Sequence, residues 1–200
     1  SQAPQWIILK ARDATQNWRV WHHKLASDGS KRMLLDATNG SEDASFLNDT
    51  APTSTVFTLG NADDAWNANS AKFIAYCWHE VPGYSKFGTY KGNGNSEGRF
   101  IHLGFKPALV IIKRVDSGYS WYLIDNKRDP VNPVHENLYA NDTITTYDYT
   151  VGDFLSNGVK FRNTGTDTNA NGATMIYMAF AEEPSGTKFG TDSNPRYKSV

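Results

Sequence analysis

The residues of this 200-residue chain whose side chains could do chemistry are its five histidines, its carboxylates and its loop aromatics. The histidines lie at unrelated places, and no Gly-x-Ser-x-Gly turn is present to hold a serine nucleophile. Only His22 and His23 are adjacent. Neighbouring side chains on one strand point to opposite faces, so regular β geometry does not let this pair chelate one metal ion. We therefore expect neither a serine triad nor a histidine metal centre.

Two glutamates, Glu80 and Glu182, are the best-matched pair of carboxylates. Glycosidases use two carboxylates about 5 to 10 Å apart. Each of these glutamates is followed two residues later by a proline. A position duplicated in this way indicates an architectural role, so we predict no catalytic residue and a protein that is not an enzyme. The charged residues of Asp125–Pro130 are expected to form a local ion-pair loop.

The loops Asn61–Ser70 and Asn163–Gly172 are dense in oxygen ligands. Calcium takes six to eight oxygens, but neither loop has the spacing of an EF-hand. Turn formation by Asn and Asp explains the same residues. We therefore expect no metal ion and no cofactor, with calcium at these loops as the alternative that stays open.

Aromatic residues in the polar connections are the remaining candidates. Flat rings with a polar edge are the usual platform for stacking on sugars or for contacts with a protein partner. The loop aromatics without an aromatic counterpart in the other half are Trp66, Tyr90, Tyr119, Tyr147 and Tyr149. We select four of them, all except Tyr90, as candidate ligand-binding residues. The alternative for each is a packing role over the ends of the sheets.

The elements that would position these residues are short β-strands. Polarity comes from 17 Asn, 17 Thr and 15 Ser more than from charge, and such residues favour turns and strands over helix interiors. No segment has a sustained 3.6-residue apolar period with caps, so the sequence predicts an all-β fold. The predicted strands cover about Trp6–Ala11, Trp18–Lys24, Arg32–Asp36, Val56–Leu59, Lys72–His79, Phe100–Gly104, Leu109–Val115, Ser120–Asp125, Asn137–Ala140, Gly158–Arg162 and Thr174–Ala181.

The two halves of the chain repeat one pattern. The segments that match, in the same order and about 100 residues apart, are Pro4–Trp21 with Pro107–Ile124, Asn67–Gly83 with Asn169–Ser185, and Lys86–Thr89 with Lys188–Thr191. Matching segments in the same order and at nearly the same separation indicate a tandem duplication. The prediction is therefore two tandem, internally duplicated antiparallel β-sandwich units, jelly-roll-like and docked on each other. The first covers residues 1–92 and the second covers residues 93–200.

The last strand of each predicted unit has one bulky and one mostly small face. In the first unit Ile74, Tyr76 and Trp78 alternate with Ala75 and Cys77. This alternation predicts a central strand, with a core on one side and a closely packed neighbour on the other.

Charge and cysteine content exclude several classes of protein. The net charge is −1, so the chain lacks the basic excess that binding to nucleic acid requires. No apolar run approaches the roughly 20 residues that a membrane-spanning helix needs, so no membrane insertion is expected. A single cysteine, Cys77, cannot form an internal disulfide or a multi-thiolate metal site.

Longer stretches of the chain resemble a known family. These stretches are Trp6–His23, Ala51–Gly60, Ile74–Arg114, Leu123–Asn141, Asp153–Arg162 and Asn169–Glu182. Together they are similar to a domain that recurs in predicted tail-fibre and other virion proteins of marine bacteriophages. The resemblance covers nearly the whole chain and carries no catalytic or binding residue with it.

The resemblance implies a non-enzymatic module of a virion appendage, located on the virion, which contributes to fibre structure or attaches to the host surface. Its expected partners are further copies of itself, as a trimer or filament, other virion proteins and a host-surface glycan. The start at Ser1 fits a fragment of a longer fibre, and a short stand-alone protein is equally compatible. A carbohydrate-binding β-sandwich module is the alternative, and a polysaccharide depolymerase is a third hypothesis.

Overall fold

The computed structural model describes residues 2–61, 66–143 and 146–183. This part of the chain contains thirteen β-strands and no helix. The all-β prediction is confirmed. In chain order the strands are β1 (Trp6–Ala11), β2 (Arg19–His22), β3 (Lys31–Leu34), β4 (Glu42–Asp43), β5 (Phe73–Trp78), β6 (Ser85–Lys91), β7 (Phe100–His102), β8 (Pro107–Arg114), β9 (Tyr122–Asp125), β10 (Val134–Tyr139), β11 (Tyr147–Leu155), β12 (Gly158–Phe161) and β13 (Thr174–Ala181).

These strands form two antiparallel sheets. The small sheet has the order β4-β3-β2-β1-β5, and the large sheet has the order β6-β13-β8-β9-β10-β11-β12-β7. β6 precedes residue 92, the predicted boundary between the units, yet it pairs with β13 of the large sheet. The chain therefore passes from one sheet to the other between β5 and β6.

The large sheet rolls until it is nearly a barrel. Tyr90 on β6, at one edge, stacks on Phe161 of β12, close to the other edge, with ring centroids 4.8 Å apart. The inside of the roll is filled by alternate residues of the central strands, such as Val110, Ile112 and Met175. Rolling buries one whole face of the sheet without a second sheet, because opposite parts of the same face meet across the core.

The outer face of the roll packs on the small sheet. Trp6 and Ile8 of β1 meet Trp121, Ile176 and Met178 in one apolar layer between the sheets. The far face of the small sheet is covered by the connection between β4 and β5, which includes the buried side chains Phe46, Leu47 and Trp66. The run Trp6–Leu9 is thus buried on both faces, as its lack of polar alternation predicts.

Strand pairings recur in equivalent register in the two sheets. Ile8 pairs with Tyr76 and with Val20 in the small sheet. The residues at the matching places of the second half, Met178 and Leu123, both pair with Ile111 in the large sheet.

Side-chain contacts repeat as well. Lys10 donates from Nζ to the carbonyl oxygen of Ala14 at 3.3 Å, and Lys113 donates to that of Ser117 at 3.4 Å, each four residues along the chain. Lys113 reaches further and also donates to Thr38 O at 3.0 Å, which joins the two halves. The same local lysine contact thus occurs in both halves of the chain, and Lys113 adds a contact between the halves.

Several strand predictions were wrong. Val56–Leu59 has no strand, because its apolar side chains Phe57 and Leu59 pack inward from an irregular connection. The prediction missed β4, β6 and β11, whose polar or glycine-containing sequences lack strong strand signals. β5 was predicted to be central but lies at an edge of the small sheet, with Ile74 38% exposed and Tyr76 41% exposed.

The loop that connects β12 to β13 is held by a buried asparagine, Asn169. Its Nδ2 donates to Asn93 Oδ1, Asn95 O and Asn163 O at 2.6 to 3.0 Å, and its Oδ1 accepts from the Asn93 amide. Asn169→Ala should lower the free energy of unfolding by about 2 kcal/mol, since several buried partners lose their hydrogen bonds. Denaturant unfolding measures this, and Asn171→Ala, at an exposed position of the same loop, should change little. Equal losses in the two variants would contradict the role of Asn169.

Candidate functional site

Four tyrosines on adjacent strands of the large sheet form a continuous row, which we name the tyrosine strip: Tyr122, Tyr139, Tyr147 and Tyr149. Ring centroids lie 4.8 Å apart between Tyr122 and Tyr139, 5.5 Å between Tyr139 and Tyr147, and 6.3 Å between Tyr147 and Tyr149. The strip runs from the buried Tyr122 to Tyr147, which is 43% exposed. It therefore offers exposed aromatic surface that is anchored in the core.

Strand pairing explains how these rings come together. Tyr122 of β9 lies directly opposite Tyr139 of β10, and Tyr147 of β11 lies opposite Asn137, two residues earlier on β10. Asn137 is fully buried and donates from Nδ2 to Tyr149 O at 3.3 Å, which ties β11 to β10. Tyr147 and Tyr149 were predicted to lie in a loop but belong to a strand, where residues two apart share a face.

Three hydroxyl groups of the tyrosine strip, those of Tyr122, Tyr139 and Tyr149, have raised pKa values. Burial, the hydrogen bond with Tyr139 and the charge of Asp167 raise the pKa of Tyr122 well above its usual value. Burial and the same carboxylate also raise the pKa values of Tyr139 and Tyr149. The Tyr122 and Tyr139 hydroxyls share a hydrogen bond of 2.9 Å. These three hydroxyl groups are therefore neutral, and the carboxylate of Asp167 acts on all of them.

A polar cavity of about 430 Å³ adjoins the strip at Tyr149. Its lining includes Asp148, Thr150 and Arg162. The guanidinium of Arg162 is held at 2.7 Å by Asp153 and at 2.8 Å by Glu97. Aromatic rings beside fixed hydrogen-bonding groups can contact both the apolar face and the hydroxyl groups of a sugar.

Tyr119 lies on another loop, and Arg114 at the end of β8 links it to the segment that carries Asp167. The guanidinium of Arg114 lies 4.9 Å from the centre of the Tyr119 ring and donates to Thr166 O at 3.1 Å. Tyr119 makes no ring contact with the tyrosine strip among the described residues, so it is not part of the strip.

Trp66 and Tyr90 lie inside the protein. Trp66 is 6% exposed, meets Phe46 edge to face, and has the guanidinium groups of Arg19 and Arg32 each 5.3 Å from its ring. Tyr90 donates from its hydroxyl to a carbonyl oxygen in the β12–β13 loop. Both rings pack against the protein itself, so we do not include them in the site.

The duplicated glutamates have structural contacts. Glu182 forms an ion pair with Lys127 and accepts from Asn126, and these hydrogen bonds hold the pKa of its carboxyl below the usual value. The amide of Glu80 donates to Gln5 Oε1 at 2.7 Å. The ion-pair loop was predicted to contain Asp125, Arg128 and Asp129. It is confirmed for Asp125, which accepts from the amides of the next turn and pairs with Arg128. Asp129 instead accepts from the amides of His135 and Glu136.

The histidine pair has a geometry different from the expected one. β2 ends at His22, so strand alternation does not extend to His23, and the ring centroids lie 4.9 Å apart. Burial is the main reason why the pKa values of both rings are lowered. Within residues 2–61, 66–143 and 146–183, no three His, Cys, Asp or Glu side chains are grouped so as to hold a metal ion.

The oxygens of the second candidate calcium loop are used internally. Asn163 Oδ1 accepts from the Gly165 amide at 2.8 Å and from the Thr168 hydroxyl at 2.9 Å. Residues 62–65 of the first loop lie outside the described residues. In the second loop the Asn side chains stabilise turns, as the preferred interpretation predicts.

The tyrosine strip was found only in part from the sequence. Tyr147 and Tyr149 were selected, whereas Tyr122, Tyr139 and Asp167 were missed. The spacing Tyr147-x-Tyr149 is a period-2 signal that could have indicated a strand. The contact with β9 and β10 had no signal in the sequence.

Comparisons with known proteins identify a family and no individual relative. In the described part of the chain no helical segment has the length and hydropathy needed to cross a membrane. No curated protein and no solved structure matches the chain. A family described as "Domain of unknown function (DUF7483)" matches residues 1–184. Because the match covers most of its length, the chain belongs to this family.

Proposed function

We propose that this chain is a non-enzymatic module of a bacteriophage virion appendage that binds a host-surface glycan at the tyrosine strip. The observation that carries the recognition part is the row of ring contacts from the buried Tyr122 to the exposed Tyr147. The sequence resemblance to tail-fibre and virion proteins supports the appendage part. A virion location, assembly with further copies as a trimer or filament, and contact with other virion proteins belong to the same proposal.

The chemistry of the strip suits a neutral sugar. Tyrosine rings stack on the apolar faces of sugar rings, and their hydroxyls both donate and accept hydrogen bonds. The rings are already positioned by strand pairing, so little side-chain entropy is lost on binding. The adjacent cavity with Arg162 adds charged donors for acidic or hydroxylated substituents.

Hydrolysis of the glycan is less favoured than binding. A general acid needs a carboxyl whose pKa is raised, whereas the contacts of Glu182 lower its pKa. Release of sugar from host envelope by this chain would support a depolymerase and contradict our proposal.

Glycan binding is tested by replacing one exposed ring. In a glycan array followed by calorimetry, Tyr147→Ala should weaken binding about 3- to 10-fold, because one stacking contact is lost. Tyr147→Phe should keep most of the affinity. Phe100→Ala removes an equally exposed ring, 44% against 43%, from β7, and should leave binding unchanged.

Two results would contradict the recognition part. One is that the wild-type chain binds no glycan, and the other is that Tyr147→Ala and Phe100→Ala bind alike. The mass of the native assembly tests the appendage part, since a protein that is monomeric at all concentrations does not build a fibre.

We also infer that the chain is a duplication of one β-sandwich unit, with copies in residues 1–92 and 93–200. The equivalent strand registers and the matching lysine contacts support this inference. Two similar hydrogen bonds also support it. The amide of Trp18 donates to the side chain of Asp36, and the amide of Trp121 donates to the side chain of Asn141. The jelly-roll-like character of each unit stays a prediction.

A further inference from the structure

Asp167 lies beside the tyrosine strip, in a closed turn of the loop between β12 and β13. The amide of Asn169 donates to Gly165 O at 2.8 Å and closes this turn. The hydroxyl of Tyr149 lies against Gly165, so that a Cβ atom at this position would be 2.9 Å from it. Thr168, which follows Asp167, is completely buried. Asp167 is therefore held at the hydroxyl end of Tyr149.

The carboxylate of Asp167 has no ion pair among the described residues. Its Oδ1 accepts from the hydroxyl of Thr166 at 2.9 Å. Its charge acts on Tyr122, Tyr139 and Tyr149, where burial and this carboxylate raise the pKa values of the hydroxyl groups. The rings of the strip thus adjoin a negative charge that no described side chain pairs with.

The basic side chains of this region have other partners. Burial lowers the pKa of Lys113 to about 8, and the charge of Asp167 acts against this shift. The Lys113 ammonium is nevertheless buried and donates to three carbonyl oxygens. Arg114 forms an ion pair with Asp116 at 2.6 Å, and Arg162, in the cavity beside the strip, is paired with two carboxylates. A positively charged group of a ligand would give Asp167 the partner that these side chains do not supply.

A buried acceptor without a partner lies on the same face of the sheet. Asn137 and Tyr139 are two residues apart on β10 and share a face, and Tyr147 lies opposite Asn137. The Nδ2 of Asn137 donates to two carbonyl oxygens, whereas its Oδ1 has no hydrogen-bond partner among the described residues. Because buried acceptors are normally paired, this atom indicates that the site takes up a donor, directly or through a water molecule.

We propose that the glycan bound at the tyrosine strip contains an amino sugar, whose protonated amino group lies beside the rings and pairs with Asp167. This inference rests on the glycan binding proposed above and names the class of sugar. The face of a tyrosine ring attracts a cation, and a carboxylate adds a charge-assisted hydrogen bond. The uncharged part of the same sugar stacks on the exposed ring of Tyr147. An acidic sugar in this place would be repelled by Asp167.

The charge of the amino group is what separates it from a hydroxyl group. An ammonium group donates three hydrogen bonds and accepts none, which suits a place where a carboxylate and a buried carbonyl oxygen lack donors. A hydroxyl group also donates, but it forms no ion pair. An acetylated amino group is neutral and forms no ion pair either. The structure therefore predicts a preference for the free amine over both of these substituents.

Three oligosaccharides with one backbone test this preference. Tetramers from chitosan, chitin and cellulose differ only in the substituent at the second carbon of each sugar, which is an amino, an acetamido or a hydroxyl group. Calorimetry at about pH 6 and low salt keeps the amine charged and limits screening of the ion pair. The chitosan tetramer should bind about 5- to 10-fold more tightly than the other two.

Asp167→Asn is the decisive variant, since it removes the charge and keeps the size of the side chain. It should weaken binding of the chitosan tetramer about 5- to 10-fold and leave the other two affinities nearly unchanged. The matched control is Asp43→Asn, which makes the same change in net charge at an exposed position of β4 in the small sheet. This control should keep the wild-type preference.

Several results would overturn the inference. The wild type could bind the three tetramers alike, or bind none of them. Asp167→Asn could keep the preference, or weaken binding of all three tetramers equally, which would indicate a structural role. Glycan binding itself is judged separately, by the array and by Tyr147→Ala, so this inference can fail while recognition at the tyrosine strip stands.

Discussion

Trp121→Ala is expected to lower the free energy of unfolding by about 3 to 5 kcal/mol. The indole is completely buried between the two sheets, and its centroid lies 5.9 Å from that of Trp6. Its Nε1 donates to Leu34 O at 2.7 Å, which ties β3 of the small sheet to the large sheet. The substitution removes a large apolar side chain and leaves this carbonyl without its partner, so both effects act in the same direction.

Trp18, the residue at the matching place in the first half, is the control. Its ring is half-buried and stacks on the exposed Tyr76, with centroids 6.4 Å apart. Trp18→Ala should therefore cost only about 1 to 2 kcal/mol, since part of the ring is already in water. Guanidinium unfolding followed by circular dichroism measures both variants. Losses of similar size would mean that the complete burial of Trp121 contributes no more than the partial burial of Trp18.

Acid should destabilise the protein through His22. The imidazole is fully buried, lies edge-on to Trp6, and accepts from the Lys24 amide at Nδ1. Burial lowers its pKa from 6.5 to about 3, and the nearby charges of His23 and Lys24 act in the same direction. Below pH 6.5 the unfolded chain binds a proton that the folded chain does not. The contribution of the neutral imidazole to the free energy of unfolding is therefore fully present above pH 6.5 and is lost as the pH drops towards 3. The expected loss between pH 7 and pH 4 is about 3 kcal/mol.

Carboxylates also titrate at acid pH, so the measurement compares how steeply the free energy of unfolding depends on pH in each variant. Unfolding free energies between pH 4 and pH 7 should depend less on pH in His22→Gln than in the wild type, whatever the absolute stability of the variant. His102→Gln replaces an exposed histidine on β7 and should keep the wild-type slope. An unchanged slope in His22→Gln would show that this imidazole does not remain neutral in the folded protein.

The sequence by itself determined the all-β class and most of the strands, because runs such as Trp6–Leu9 signal burial locally. It also indicated a duplication, which we propose, since identical residues such as Lys10 and Lys113 keep their spacing. Only the tertiary structure decided that β5 is an edge while β13 is central. Their own sequences are similar, and the difference lies in which other strand crosses over to pair with each. The same reason applies to Tyr122, Tyr139 and Tyr147, whose rings form one row through strand order. It applies also to Trp66, which is buried by the small sheet. Alternation along one strand indicates which side chains share a face, but the neighbours of that face are set by pairings between residues far apart in the chain.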